Sequence, residues 1–199
     1  MKSFIRVFLA VFAAMSVTVA LTQLSPDKAK KSDEILKKAR QLDLLNHLLP
    51  LVLTKDQINK LLVVVEKSRA RVDQIRQLEA TDLLKYETKV DDAVSKGVNK
   101  DIVPAKALLV ELNKLFTAFS IRRSIAAGEN ADEVLVVFKK ELNEGQRKAA
   151  MNSHDITAFD SKIDVSKLSD DDKLKFYIKD VVLDPFAYDL LLKMSKAQD

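Results

Sequence analysis

From Thr54 the chain runs to Gly97 without a glycine or a proline, and the whole 199-residue sequence holds only three glycines and four prolines. Those two residue types interrupt helices most effectively, so a chain that omits them over such a stretch has few places to turn. Ala, Leu, Lys, Glu and Asp dominate what remains, a composition that favours helix. The expectation is an all-α fold: a long antiparallel helical hairpin with an N-terminal helix and a small C-terminal helical cap.

The first residues read as an export signal. Lys2 and Arg6 precede an uncharged run of 15 residues, Val7 to Leu21, and Thr18-Val19-Ala20 places small residues where a signal peptidase reads them. Cleavage is expected after Ala20. The run is short for a bilayer-spanning helix, which needs about 20 residues, so no stable membrane span is expected after cleavage. No cysteine stands near the boundary, which argues against a lipid anchor, and the localisation implied is periplasmic or secreted. Loss of Lys2 and Arg6 lowers the formal charge from +4 to +2, so the chain has no basic surplus that would suggest a nucleic-acid partner. The remaining 179 residues, 21–199, are read as a single helical domain with a core over 53–152 and an extension over 153–199. With no cysteine at all, stability has to come from helix packing or oligomerisation.

Ser25-Pro26-Asp27 is a helix start with Pro at the first helical position, and Ile35, Leu36, Ala39, Leu42, Leu45 and Leu49 line one face up to Pro50. A second helix, continuous from Thr54 to Ser95, would span about 63 Å at 1.5 Å per residue. Gly97 to Val103 is predicted as a turn and Pro104 as the start of a third helix. That helix carries the strongest apolar stripe: Leu108, Leu109, Leu112, Leu115, Phe116 and Phe119. Gly128 marks a candidate kink. The pattern is lost from Asn152 to Lys167. Two short helices hinged at Asp184-Pro185 then bring Phe176, Tyr177, Phe186 and Tyr188 together as an aromatic cap over the open end of the hairpin.

Two segments carry the most specific signal. In Leu53-Thr54-Lys55-Asp56-Gln57, the Thr54 hydroxyl can accept from the Gln57 amide, the Gln57 side chain can reach back to the Thr54 amide, and Leu53 can staple onto Ile58. Leu142-Asn143-Glu144-Gly145-Gln146 repeats the grammar with Asn143 as cap and Gln146 in the reciprocal position, although Arg147 replaces the apolar staple partner and Gly145 weakens the first turn. Ser169-Asp170-Asp171-Asp172 is a third helix start of this kind, and its acids complement the N-terminal dipole better than they match a calcium loop. Leu53, Thr54, Gln57, Leu142, Asn143 and Gln146 are therefore the candidate motif residues, with a structural role as helix caps.

The two motifs resemble those of the LTxxQ-motif (Spy/CpxP-like) family of periplasmic proteins, over roughly Leu53 to Asn152. The first matches in full and is followed by a basic-leaning helix through Lys67, Arg69, Arg71 and Arg76; the second has Asn143 where the family usually has Thr. The resemblance implies a curved antiparallel homodimer whose concave face binds unfolded or partly folded proteins without ATP, in chaperone or envelope-stress work. The segment 153–199 has no counterpart in the small chaperones of that family.

Other chemistries find little support. The sequence has no Gly-rich phosphate loop, no nucleophile elbow, no HExxH and no thiol, so no enzyme and no cofactor is expected. His47 and His154 stand far apart with no paired motif, and no metal site is assigned to a single chain, although an oligomer could bring four imidazoles together. A metal-responsive envelope sensor and a structural or partner-binding helical module are the alternatives to a chaperone.

Overall fold

A computed structural model describes residues 26–153, 155–158 and 163–198, so the export signal and its cleavage after Ala20, the Ser25 cap and His154 lie outside the described residues. Among the described residues every element is helical: α1 Pro26–Leu48, α2 Lys55–Leu84, α3 Glu87–Lys100, α4 Lys106–Glu141, α5 Glu144–Asn152, α6 Asp170–Tyr177 and α7 Ala187–Lys196. Single 3-10 turns lie at Leu49–Leu51, Ile156–Ala158 and Val165–Lys167, and Ile178–Val182 is one π turn closing with Leu183 N–H on the Ile178 carbonyl. The chain divides into two compact units, residues 1–40 and 41–199. In the first, described from Pro26, Ile35 and Leu36 are exposed.

Within the second unit α2 and α4 run antiparallel. Lys60 meets Glu141, Arg71 meets Glu133, Arg123 meets Glu79 and Arg122 meets Asp82, so one helix ascends as the other descends. At one end, the base, the pair is wrapped by the 3-10 turn after α1, by α5, and by α6, the π turn and α7. Here lies the core: Leu44, Leu48, Leu51, Ile58, Leu61, Val65, Val134, Phe138, Tyr177, Ile178, Val181 and Leu191 are essentially solvent-free. Tyr177 packs its ring 6.0 Å from Phe138 and donates its hydroxyl to the His47 carbonyl at 3.0 Å, and burial pushes that phenol's pKa up. The face expected of the first helix is corrected here, because Leu42 and Leu49 are exposed while Leu44 and Leu48 are the buried pair. The C-terminal cap is more aliphatic than aromatic: Tyr177 is its one fully buried ring, and Ile178, Val181, Val182, Leu190 and Leu191 supply most of the rest.

Three helix boundaries differ from the sequence expectation. The second helix is not continuous to Ser95; it ends after 30 residues at Leu84, where Tyr86 N–H bonds the Leu83 carbonyl in a tightened turn that no Gly or Pro announces, and α3 follows. The turn lies beyond Gly97: α3 runs through it to Lys100 and closes on Asp101 in a left-handed conformation (φ 53°). Gly128 neither kinks nor breaks α4, which continues to Glu141, because the helix hydrogen bonds outweigh the roughly 1 kcal/mol that one interior glycine costs.

Phe138→Ala removes a fully buried ring from the centre of the base. It is expected to lower unfolding free energy by about 3–5 kcal/mol, measured by urea denaturation followed by circular dichroism.

Candidate functional site

The two sequence motifs, 89 positions apart between their glutamines, form one site. Thr54 caps α2, its hydroxyl accepting from Gln57 N–H at 3.2 Å while Gln57 Oε1 accepts from Thr54 N–H at 3.0 Å. Asn143 caps α5 in the same way, with Gln146 N–H on Asn143 Oδ1 at 2.9 Å and Asn143 N–H on Gln146 Oε1 at 3.0 Å. The two carboxamides then join face to face, each Nε2 donating to the other's Oε1 at 3.0 Å. Each second N–H reaches the backbone just ahead of the opposite cap: Gln57 Nε2 donates to the Glu141 carbonyl at 2.7 Å and Gln146 Nε2 to the Leu51 carbonyl at 3.0 Å. The arrangement is close to two-fold symmetric, and it uses every donor and acceptor the two amides possess.

Leu53 and Leu142, the residues before the caps, are buried in the base, and Ile58 lies in the same cluster as Leu53. A Cβ at Gly145 would meet Asn143 Oδ1 at 3.3 Å, closer than an ordinary contact, so the cap oxygen would have to give by a few tenths of an ångström. The sequence reading missed the role of Arg147. Where a staple would sit, its Nη1 donates to the Leu142 carbonyl at 2.5 Å and to the Lys139 carbonyl at 3.3 Å, closing free carbonyls at the end of α4. The C-terminus seals the other side of the first motif: Gln198 Nε2 donates to the Leu53 carbonyl at 3.0 Å, Ser195 Oγ to Asn59 Oδ1 at 2.7 Å, and the Arg69 guanidinium lies 4.3 Å over the Tyr188 ring. The third capping box, Ser169 with Asp172, starts α6, and the Ser169 hydroxyl holds the Asp172 carboxyl below the usual carboxylate range. Asp171 is held by Lys139 of α4 at 2.8 Å. These contacts fasten the base.

Beyond Val65 on α2 and Ala131 on α4 the packing changes character. The distal half of the α2 and α4 pair, continued by α3, projects as an arm with no third layer among the described residues, and the only buried side chains that α2 contributes to it are Ser68 and Glu79. Its seam is polar. Arg71 donates to Asn130 Oδ1 at 2.5 Å and to Glu133 Oε1 at 2.6 Å; Lys67 reaches Glu133 Oε2 at 2.9 Å. Arg71 and Lys67 together hold the Glu133 carboxyl below its usual range. Further out Arg123 forks onto the buried Glu79, and Lys89 pairs with Glu111 at 3.6 Å. Apolar packing in the arm is thin: Phe119 and Ala126 are buried, and Ile75, Leu112 and Leu115 are half-covered. The sequence signal for this seam was present as Ser68, Arg71, Glu79 and Asp82 standing at core spacing along α2.

Helical spacing sorts the arm's surface. Val72, Leu83, Val94, Val98, Leu109 and Phe116 fall on the side of the seam that carries the Arg123 and Glu79 contact. Lys85, Lys89, Lys96 and Lys100 fall on the side of the Lys89 and Glu111 pair. The apolar side chains are open, with Phe116 at 51% and Val98 at 76% of full exposure. A cavity of about 480 Å³ opens on the charged side near the arm's tip, floored by Ala93, Ile102, Pro104 and Leu108. Among the described residues no group of three or more His, Cys, Asp or Glu side chains is placed to hold a metal, and no helix is long and apolar enough to cross a membrane. His47 sits at the end of α1 with Nε2 3.6 Å from Asp43.

The chain matches no family model, no curated protein and no solved structure.

Replacing either glutamine leaves its partner amide and a backbone carbonyl without a donor. Gln57→Ala and Gln146→Ala are each expected to cost about 2 kcal/mol, and the double variant is expected to fall short of their sum by about 1 kcal/mol. Urea denaturation of the four proteins measures the coupling; additive losses would show that the two amides do not act as one.

Proposed function

We propose that this chain is an ATP-independent chaperone or envelope-stress protein, exported to the periplasm or secreted, that binds unfolded or partly folded proteins on the apolar face of the arm. The observation that carries the reading is that face: six large apolar side chains on a two-helix layer whose outer sides are left open by the described residues. Such a surface offers contact without a preformed pocket, which suits clients of no fixed sequence. The arm also carries twelve Lys and Arg against ten Asp and Glu between Glu66 and Asn130, and this net charge of +2 attracts acidic unfolded chains weakly over a Debye length of about 10 Å. The resemblance of the paired motifs to the LTxxQ family points the same way. A second copy of the chain is the other partner the reading includes: the face measures about 40 Å by 20 Å from helix dimensions, close to the ~800 Å² per partner of a standard interface.

The test is light scattering from a chemically unfolded protein diluted with and without this chain, in the absence of nucleotide. Suppression near stoichiometric ratios is expected, and Leu109→Glu with Phe116→Glu is expected to reduce it several-fold at a cost of about 1 kcal/mol per site, because each side chain is half covered and Phe116 meets Phe119 edge-on. No suppression across several clients would refute the proposal. Capture of one stoichiometric partner instead would identify a partner-binding module.

A further inference from the structure

The arm is closed by charge to an unusual degree. Between the last fully buried aliphatic pair, Val65 and Val134, and the tip, α4 is tied to α2 and α3 by ion pairs that each place a carboxylate on one helix and a cation on the other. Glu133 of α4 is faced by Lys67 and Arg71 of α2, with Glu129 one turn back on its own helix and 3.8 Å from Arg71. Glu79 of α2 is faced by Arg123 of α4. Asp82 of α2 is faced by Arg122 of α4 and Lys85 of its own helix, and Glu111 of α4 by Lys89 of α3. In the base the same two helices carry one such pair, Lys60 with Glu141 at 2.7 Å, but there it is backed by Ile58, Leu61, Val65, Val134 and Phe138 together with the uncharged Gln57 and Gln146 pair. Hydrophobic contact and an amide pair do not titrate; carboxylates do.

We propose that the arm is an acid-released clamp: acid dissolves its cross-arm ion pairs together and parts α4 from α2 and α3, uncovering Ile75, Leu112, Leu115 and Phe119 while the base stays folded. The proposal rests on the client-binding reading for its purpose, since the uncovered residues enlarge the same face, but not for its mechanics. Two effects act in one direction. Each protonation removes an attraction across the seam and leaves its cation behind. Full protonation of the twelve carboxylates between Glu66 and Glu133 also takes that segment, with its twelve Lys and Arg, from a net charge of 0 to +12, so that self-repulsion drives the helices apart. The pH window follows from the direction of the carboxylate shifts. Glu133 is held below its ordinary value chiefly by its hydrogen bonds from Arg71 and Lys67 across the seam, and Asp82 chiefly by Lys85 of its own helix, with Arg122 across the seam adding to it. Their stabilisation is therefore complete above the unfolded carboxyl value and is lost as pH falls through the lower, folded value. Opening belongs below pH 4.5, the ordinary Glu value.

The chain has no cysteine, so a pair introduced by Gln77→Cys and Ser124→Cys, at exposed positions on facing arm helices, carries two nitroxides and no others. A second pair, Asp56→Cys and Lys148→Cys, reports the base. Double electron–electron resonance on the full chain is expected to give one short arm distance at pH 7 that lengthens by roughly 10 Å, a helix diameter, and broadens between pH 4.5 and 3, with the base distance unchanged. Glu79→Gln combined with Glu133→Gln is expected to open the arm at pH 7. An arm distance constant to pH 3, or arm and base distances lost together, would overturn the clamp, as would a closed arm in the double variant with its base intact. Aggregation suppression by the same samples separates the two claims. Opening without any suppression at either pH keeps the clamp and refutes the client reading, and suppression at pH 7 with an arm that never opens does the reverse.

Discussion

The pair of carboxamides between Gln57 and Gln146 is the contact on which the base depends. It lies where the start of α2, the end of α4 and the start of α5 converge, a place with many backbone groups that the helices themselves leave unpaired. Each glutamine finishes its own helix cap and the opposite chain crossing at once, so the angle at which α2 meets the α4 and α5 corner is set by hydrogen bonds with defined geometry rather than by apolar contact alone. Arg147 and Gln198 close neighbouring carbonyls from opposite sides. With that corner fixed, the aliphatic core formed with the π turn and α7 has a template to pack on.

A fixed base and a loosely packed arm divide the labour of the unit. The base concentrates the buried Leu, Ile, Val, Phe and Tyr side chains, and the arm is left with a polar seam and uncovered apolar flanks. Half-exposed ion pairs such as Lys89 with Glu111 add little net stability, and a buried carboxylate such as Glu79 is tolerable only while Arg123 satisfies it. The arm is thus held by contacts that fix register better than they resist separation. That combination suits a surface that has to remain available to other chains while anchored to something stable.

Much of this was legible in the sequence because it is local. Capping boxes at Thr54, Asn143 and Ser169 encode their geometry within four residues, and the scarcity of breakers fixes the all-α class. That the two Gln motifs would meet was not legible, since nothing within either segment specifies a partner 89 residues away. Glycine misled: Gly97 and Gly128 both continue their helices, and the left-handed positions fall instead on Val52 and Asp101, which short connections force there. The apolar stripe of α4 was visible, but periodicity says which residues share a face and not whether a third layer covers it, so the stripe alone did not tell the exposed Leu109 and Phe116 from the buried Phe119. Polar residues at core spacing, Ser68, Arg71 and Glu79, were the unread sign that the core stops there.

The central claim is that one chain couples a cooperative base to an arm held by weaker, charged contacts. Native-state hydrogen exchange tests it most directly. Amides of Ile58 to Val65 and Ala131 to Phe138 are predicted to exchange only through global unfolding, and those of Val72 to Leu84 and Leu109 to Phe119 through a sub-global opening with a free energy several kcal/mol smaller and little denaturant dependence. A single exchange free energy shared by base and arm would contradict the account.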